Sequence, residues 1–131
     1  MSDRPNVLLL FTDQQRGDTI RALGNPVIRT PNLDRLCERG VAFTNAFSPS
    51  PVCVSARCSM IYGQYPLHTG CYENSPMPMD ERESFMGALT RSGYRTHGIG
   101  KCHFSPDSQG MRGFQTRERQ EEMVGKPDRD D

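Results

Sequence analysis

The chain has 131 residues, of which 34% are hydrophobic, and 16 Lys and Arg residues balance 16 Asp and Glu residues. This length suits about one domain, and the absence of net charge argues against a nucleic-acid-binding protein. The first apolar run, residues 7–11, is too short for a signal sequence or a membrane span. We therefore expect a protein without membrane association, in which any anionic ligand is held by a local group of side chains.

The cysteine content indicates a reducing compartment. Five cysteines occur in a chain without a recognisable secretory signal, and this odd number favours free thiols over a disulfide framework. The sequence therefore predicts a cytoplasmic protein. The cysteines are Cys37, Cys53, Cys58, Cys71 and Cys102.

Residues 7–11 form a continuous apolar run that is typical of a strand buried on both faces of a parallel α/β sheet. Asp13 and Gln14 follow this run directly. Ligands of open α/β sheets bind beyond the carboxyl ends of the strands, so both residues are candidates for a site. The structural alternative for Asp13 is a helix cap or a turn.

A helix is predicted next, over residues 32–39, with Thr30 as its N-cap, Pro31 at its first position and Gly40 as its stop. Residues 41–47 alternate apolar and polar side chains well enough to predict a second short strand.

Cys53 lies where a second helix begins, because helical spacing starts at about residue 55 and Gly63 stops it. A helix start presents unpaired N–H groups and the positive end of the helix dipole, which favour an anion. Arg57, one turn further, adds a guanidinium group that suits an oxyanion. Cys53 is therefore a candidate nucleophile in an anion-binding pocket, the alternative being an inert buried thiol.

The following segment, residues 64–79, is rich in Pro and Gly and is predicted as a loop. Asp80 is expected to cap a helix over residues 81–91, whose apolar stripe consists of Phe85, Met86 and Leu89.

A third strand is predicted over residues 94–100, and Lys101 and His103 follow it. Alternate residues of an extended segment face the same side, so the two side chains suit a common anion. The alternative is a solvated pair. Residues 115–131 are dominated by charge and are predicted as a solvated tail. The order of elements predicts an α/β fold with a mainly parallel sheet flanked by helices.

Four segments together resemble the N-terminal part of the type I sulfatases, in the alkaline-phosphatase-like superfamily. Ser55 departs from that family's C-x-P/A-x-R signature, which has Pro or Ala at this position. The resemblance covers residues 6 to about 114. The segments are residues 6–14 (first strand and metal-binding acid), 30–36 (TPNLDRL), 53–57 with 62–66 (the signature and its continuation) and 100–104 (similar to GKWHL).

The resemblance implies a sulfuric-ester hydrolase acting on small-molecule sulfate esters. Cys53 would be oxidised to formylglycine, whose hydrate attacks sulfur, and covalent catalysis divides the reaction into two easier steps. Arg57 would orient the hydrate and balance charge. Lys101 would bind sulfate oxygens, and His103 would hydrogen-bond the nucleophile or help to deprotonate it.

The resemblance also implies a divalent cation, usually Ca²⁺, bound by Asp13, Gln14 and the modified Cys53. The family's other metal ligands would lie beyond residue 131. Residues 1–114 are therefore expected to be the N-terminal part of a sulfatase-like catalytic domain, and 115–131 a charged connection. We expect a fragment with negligible activity alone, whose partner is the missing C-terminal part or a second copy.

Two other functions stay open at this point. The same superfamily and nucleophile serve phosphonate monoester and phosphodiester hydrolases, and Asp13 with Gln14 does not decide between these substrates. A non-catalytic module that binds an anion or a partner chain would instead keep Cys53 as an unmodified thiol.

Overall fold

The computed structural model describes residues 4–74, 77, 81–104 and 110–119. The chain divides into two compact units, Met1–Phe47 and Ser48–Asp131. Short 3₁₀ helices lie at Gly17–Thr19 and Arg21–Leu23. The other elements are helices α1 (Pro31–Arg39), α2 (Cys53–Tyr62), α3 (Pro66–Thr69) and α4 (Phe85–Arg91), and strands β1 (His97–Gly100) and β2 (Thr116–Arg119).

Helix α1 of the first unit confirms the predicted helix. Pro31 is its first residue, and the N–H of Gly40 closes the last turn on the carbonyl oxygen of Leu36. Thr30 occupies the N-cap position without a side-chain cap. Its hydroxyl donates instead to Asp34 across 2.8 Å, and Asp34 also accepts the N–H of Ala22 across 2.9 Å. The Ala22 bond joins α1 to the 3₁₀ helix before it.

The strands predicted at residues 7–11 and 41–47 are wrong for this structure. Neither segment is a strand, and the apolar side chains of both are exposed, for example Leu8 and Phe43, each at 80%. A strand needs a hydrogen-bonded neighbour to satisfy its backbone groups. The described residues of the first unit contain no strand that could supply one.

The second unit is built around helix α2. It begins at Cys53, two residues earlier than the predicted helical spacing, and ends at Gly63, whose φ of 63° gives the left-handed stop. Helix α3 lies in the segment predicted as a loop. The core consists of Val54, Cys58, Ile61, Cys71, Met77, Met86, Cys102 and Phe104.

Helix α4 is shorter than predicted, because it begins at Phe85 rather than at residue 81. The Ser84 hydroxyl oxygen accepts the N–H of Gly87 across 3.0 Å and caps the helix. The predicted cap, Asp80, lies outside the described residues. Met86 is buried, as the apolar stripe predicts, and Leu89 is half-buried.

Strands β1 and β2 form a two-stranded parallel sheet in which His97 pairs with Thr116 and Gly100 with Arg119. The parallel sheet with helices confirms the predicted α/β class, although β1 is shorter than the predicted strand. Strand β2 lies in the segment that we predicted as a solvated tail, so that prediction is wrong for residues 116–119. The domain boundary after residue 114 stays a prediction.

Among the residues that the structure describes, none of the helices combines the length and the apolar character needed to span a membrane. All five cysteines are free thiols, as expected. The cytoplasmic location stays a prediction.

Candidate active site

Cys53 is the first residue of α2 and is partly exposed. The residue before it, Val52, has no side-chain acceptor and makes no cap. Asn74 supplies the acceptor instead, although it lies 20 residues further along the chain: its Oδ1 accepts the N–H of Val54 across 3.2 Å. The predicted placement of Cys53 at a helix start is therefore confirmed, and Asn74 completes the helix start.

Arg57 lies one turn after Cys53 and is only 5% exposed. Its Nη1 donates a hydrogen bond of 2.7 Å to the backbone carbonyl oxygen of Lys101. The structure therefore brings two of the predicted site segments together, the start of α2 and the loop that follows β1. Arg57 holds the backbone of this loop in place.

The loop after β1 alternates in burial. Cys102 and Phe104 are buried in the core, whereas Lys101 and His103 are half-buried. The common face predicted for Lys101 and His103 stays a prediction. His103 has a φ of 54°, a left-handed conformation that few non-glycine residues adopt, and both of its ring nitrogens are shielded from solvent. Unusual backbone conformations of this kind cluster at functional sites.

Ser55 is fully buried, at 0% exposure, and its hydroxyl donates to the carbonyl oxygen of Cys71 across 2.5 Å. Sequence reasoning noticed Ser55 only as a departure from the family signature and did not notice Asn74 at all. For Ser55 the available signal was a hydrogen-bonding residue where Pro or Ala is usual. For Asn74, in a loop rich in turn-forming residues, no specific signal was present.

Cys71 and Cys58 lie against each other in the core, and each is 1% exposed. Burial, followed by the charge and hydrogen bonding of the Cys58 thiol, raises the pKa of Cys71 from 9.0 to about 11. A thiol with such a pKa stays protonated at neutral pH and is a poor nucleophile. Cys71 is therefore a packing residue.

Asp13 and Gln14, the predicted metal ligands, lie in the first unit and are exposed. Gln14 has a φ of 50°, again a left-handed conformation that is uncommon outside glycine. Their carboxylate and amide oxygens suit a hard divalent cation. The described part of the chain contains no group of three or more His, Cys, Asp or Glu residues placed to hold a metal ion. The oxygen donors of Asp13 and Gln14 therefore suit a divalent cation, but the described residues do not complete a coordination sphere for one. The assignment of Asp13, Gln14 and Cys53 as metal ligands stays a prediction.

Comparison with known proteins identifies the family. The sequence profile of the family described as Sulfatase matches residues 5–130. The chain is 38% identical over 100 residues to an ulvan-active sulfatase of Formosa agariphila, covering 76% of this chain and 20% of that protein. It is 34% identical over 106 residues to an arylsulfatase of Clostridium perfringens, covering 79% of this chain and 22% of that protein.

Comparison with solved structures agrees with the comparison of sequences. The crystal structure of a phosphonate monoester hydrolase of Agrobacterium radiobacter matches with a TM-score of 0.74 and 29% identity, covering 88% of this chain and 26% of that one. The chain spans about a fifth of the length of the curated relatives it matches. The family profile and the identity to these relatives show that the chain belongs to the sulfatase family, in the alkaline-phosphatase-like superfamily.

Proposed function

We propose that the protein carrying this chain hydrolyses sulfate esters with residue 53 as its nucleophile. The observation that carries this proposal is the position of Cys53 at the first residue of α2, one turn before a buried Arg57 that is bonded to Lys101. Membership of the sulfatase family supports the same reaction. Neither a lone cysteine nor a lone helix start would support it.

The start of α2 favours negative charge at residue 53. Backbone N–H groups and the positive end of the helix dipole lie there, and a fixed dipole aimed at developing charge lowers the barrier of the reaction. After conversion of Cys53 to formylglycine, one hydroxyl of the aldehyde hydrate would attack sulfur and displace the ester alcohol, and loss of a proton from the other hydroxyl would then release sulfate and restore the aldehyde. The family implies this modification and a divalent metal in general.

Lys101 and His103 take the remaining roles in the proposal. The ammonium group of Lys101 binds the sulfate oxygens, and the imidazole of His103 hydrogen-bonds the nucleophile and accepts its proton. The alternation in burial supports this assignment, because Lys101 and His103 are half-buried whereas Cys102 and Phe104 are buried in the core. Arg57 keeps the loop in register with α2 through its bond to the Lys101 carbonyl oxygen.

For the metal we propose Ca²⁺, with Asp13 and Gln14 as two of its oxygen ligands and residue 53 as a third. Calcium takes six to eight oxygen ligands in proteins, so these residues would be part of a larger set. A cation of this kind stabilises the negative charge on sulfuryl oxygens. Calorimetric titration of Ca²⁺ against the protein and its Asp13→Asn variant tests this assignment, which predicts weaker binding by the variant.

Peptide mass spectrometry combined with turnover of an aryl sulfate tests the function. We expect an aldehyde in place of the thiol at residue 53 and loss of turnover in the Cys53→Ala variant. Cys58→Ala is the matched control, because this thiol lies on the same helix and is buried in the core at 1% exposure. A fully alkylatable thiol at residue 53 in the active protein would contradict the formylglycine mechanism.

Phosphonate monoester hydrolysis is a second candidate, because the structural similarity to a hydrolase of that type extends over most of this chain. The two reactions use the same nucleophile on different tetrahedral anions. Comparison of kcat/KM for phenyl sulfate and for a phenyl phosphonate monoester, on the same preparation, separates them. A higher value for the sulfate supports the sulfatase proposal, and a higher value for the phosphonate supports the second candidate.

A further inference from the structure

Two hydrogen bonds join the first turn of α2 to the segment formed by residues 71–74. The hydroxyl of Ser55 donates to the Cys71 carbonyl oxygen across 2.5 Å. In the opposite direction, the backbone N–H of Val54 donates to Asn74 Oδ1 across 3.2 Å. The two bonds therefore hold the two residues that directly follow Cys53.

We infer that Ser55 and Asn74 are positioning residues that clamp the nucleophile turn of α2 onto residues 71–74. This inference rests on the proposed role of Cys53 as the nucleophile. Neither Pro nor Ala, the residues usual at position 55 of the family signature, has a side-chain donor. This chain therefore holds the turn with a hydrogen bond that the usual signature cannot form.

The Ser55 bond is shielded from water on both sides. Ser55 is 0% exposed and Cys71 is 1% exposed, so water cannot replace the hydroxyl if it is removed. A buried carbonyl oxygen that loses its donor carries the full desolvation penalty, so breaking this hydrogen bond is costly. The position of Ser55 relative to residue 71 is therefore closely restricted.

The Asn74 bond replaces a missing cap. Valine is among the poorest N-cap residues, and Val52 makes no side-chain hydrogen bond at the start of α2. Asn74 satisfies the Val54 N–H from 20 residues away in the sequence. With this bond and the Ser55 bond, the first turn is tied to a second segment of the chain rather than only to the rest of α2.

The clamp matters for chemistry because Cys53 is at the first position of the turn. Displacement of a reacting group by about 1 Å can reduce a rate by two orders of magnitude. Supporting hydrogen bonds around a catalytic group keep it within the productive geometry. Ser55 and Asn74 act on residue 53 in this way, through the backbone of Val54 and Ser55, and are not assigned a contact with substrate.

Hydrogen exchange and thiol alkylation of the 131-residue chain test the clamp. In Ser55→Ala and Asn74→Ala, we expect backbone amides of residues 53–57 to exchange roughly three- to tenfold faster. In protein whose residue 53 is still an unconverted thiol, iodoacetamide should label Cys53 at a changed rate, while Cys58 and Cys71 keep their protection. Asn74→Asp should restore the wild-type exchange, because a carboxylate accepts the same N–H and suits a helix start.

Ser59→Ala is the matched control. Ser59 is a buried serine of the same helix, at 4% exposure, and its hydroxyl makes no hydrogen bond with the described residues. Exchange of residues 53–57 in this variant should equal that of the wild type. Equal effects of the Ser55 and Ser59 substitutions would overturn the inference, as would failure of Asn74→Asp to restore protection.

In Asn74→Ala, loss of protection at Cys58 and Cys71 together with Cys53 would also overturn it, since that pattern reports global unfolding. Exposed Asn74 gives the decisive variant if Ser55→Ala does not fold. None of these measurements depends on turnover. Failure of the proposed function would appear as an inactive protein with an unmodified Cys53, whereas failure of the clamp would appear as unchanged exchange.

Discussion

The side chain of Arg57 and the backbone of Lys101 are joined by a hydrogen bond of 2.7 Å, although 44 residues separate them in the sequence. The guanidinium group is almost fully buried, and the carbonyl oxygen belongs to the loop that carries His103. This bond connects the helix that begins at Cys53 with the other predicted anion-binding residues. Arg57 therefore ties helix α2 to the loop after β1.

Arg57→Met should lower the free energy of unfolding by about 1–3 kcal/mol, because the substitution removes a charged donor from the Lys101 carbonyl oxygen. Urea denaturation measures this value. Arg16→Met is the control, since Arg16 forms an exposed ion pair with Asp18 at side-chain exposures of 78% and 62%. Exposed pairs contribute about 1 kcal/mol or less. An equal loss in both variants would contradict the structural role of Arg57.

The free energy of unfolding should fall between pH 9 and pH 11, because the Cys71 thiol loses its proton at a lower pH in the unfolded chain than in the folded protein. Its pKa is raised from 9.0 to about 11 in the folded protein, so the folded state holds the thiol proton more tightly than the unfolded state. This contribution is fully present below pH 9 and is lost as the pH rises through 11. Denaturation at several pH values, in the wild type and in Cys71→Ala, measures it. The wild type should lose more stability across this interval, and parallel curves would contradict the raised pKa.

Gly113→Ala should destabilise the protein by more than about 2 kcal/mol. Gly113 has a φ of 96°, and an added Cβ would lie 2.6 Å from Ser84 Oγ and also too close to the backbone of Gly87. Thermal and urea unfolding measure the loss. Gly17→Ala is the control, because its added Cβ meets nothing within 4 Å. That variant should be neutral or stabilised by up to about 1 kcal/mol, and similar losses in both would contradict the steric argument.

Asp34→Ala should loosen the first unit locally. The carboxylate of Asp34 accepts the Ala22 N–H and the Thr30 hydroxyl, across 2.9 Å and 2.8 Å. A hydrogen bond to a charged group contributes about 1.5 kcal/mol or more, so the Ala22 amide should exchange roughly tenfold faster or more in the variant. Glu38→Ala, an exposed substitution on the same helix, should leave the Ala22 amide unchanged. Equal exchange in the two variants would show that Asp34 does not hold this contact.

The helices were the most predictable elements, because local residues determine their ends. Pro31 and Gly40 mark α1 correctly, and Gly63 marks the end of α2. The start of α4 was predicted four residues too early. Ser84 accepts the Gly87 N–H and caps the helix, a role that the sequence pattern did not indicate.

The strands were the least predictable elements. The apolar residues 7–11 form no strand, whereas the charged segment Thr116–Arg119 does, in parallel register with β1. A strand depends on hydrogen bonds to a neighbour that is distant in sequence, so its composition alone does not determine whether it forms.

The sequence by itself determined the family signature and the candidate nucleophile at the start of a helix. These features depend on residues within a few positions of one another. Only the tertiary structure decided that Arg57 binds the Lys101 carbonyl oxygen and that Cys71 has a raised pKa. It also decided that Ser55 and Asn74 hold the turn after Cys53. Hydrogen bonds and burial of this kind join residues 13 to 44 positions apart, and their partners exist only once the chain has folded.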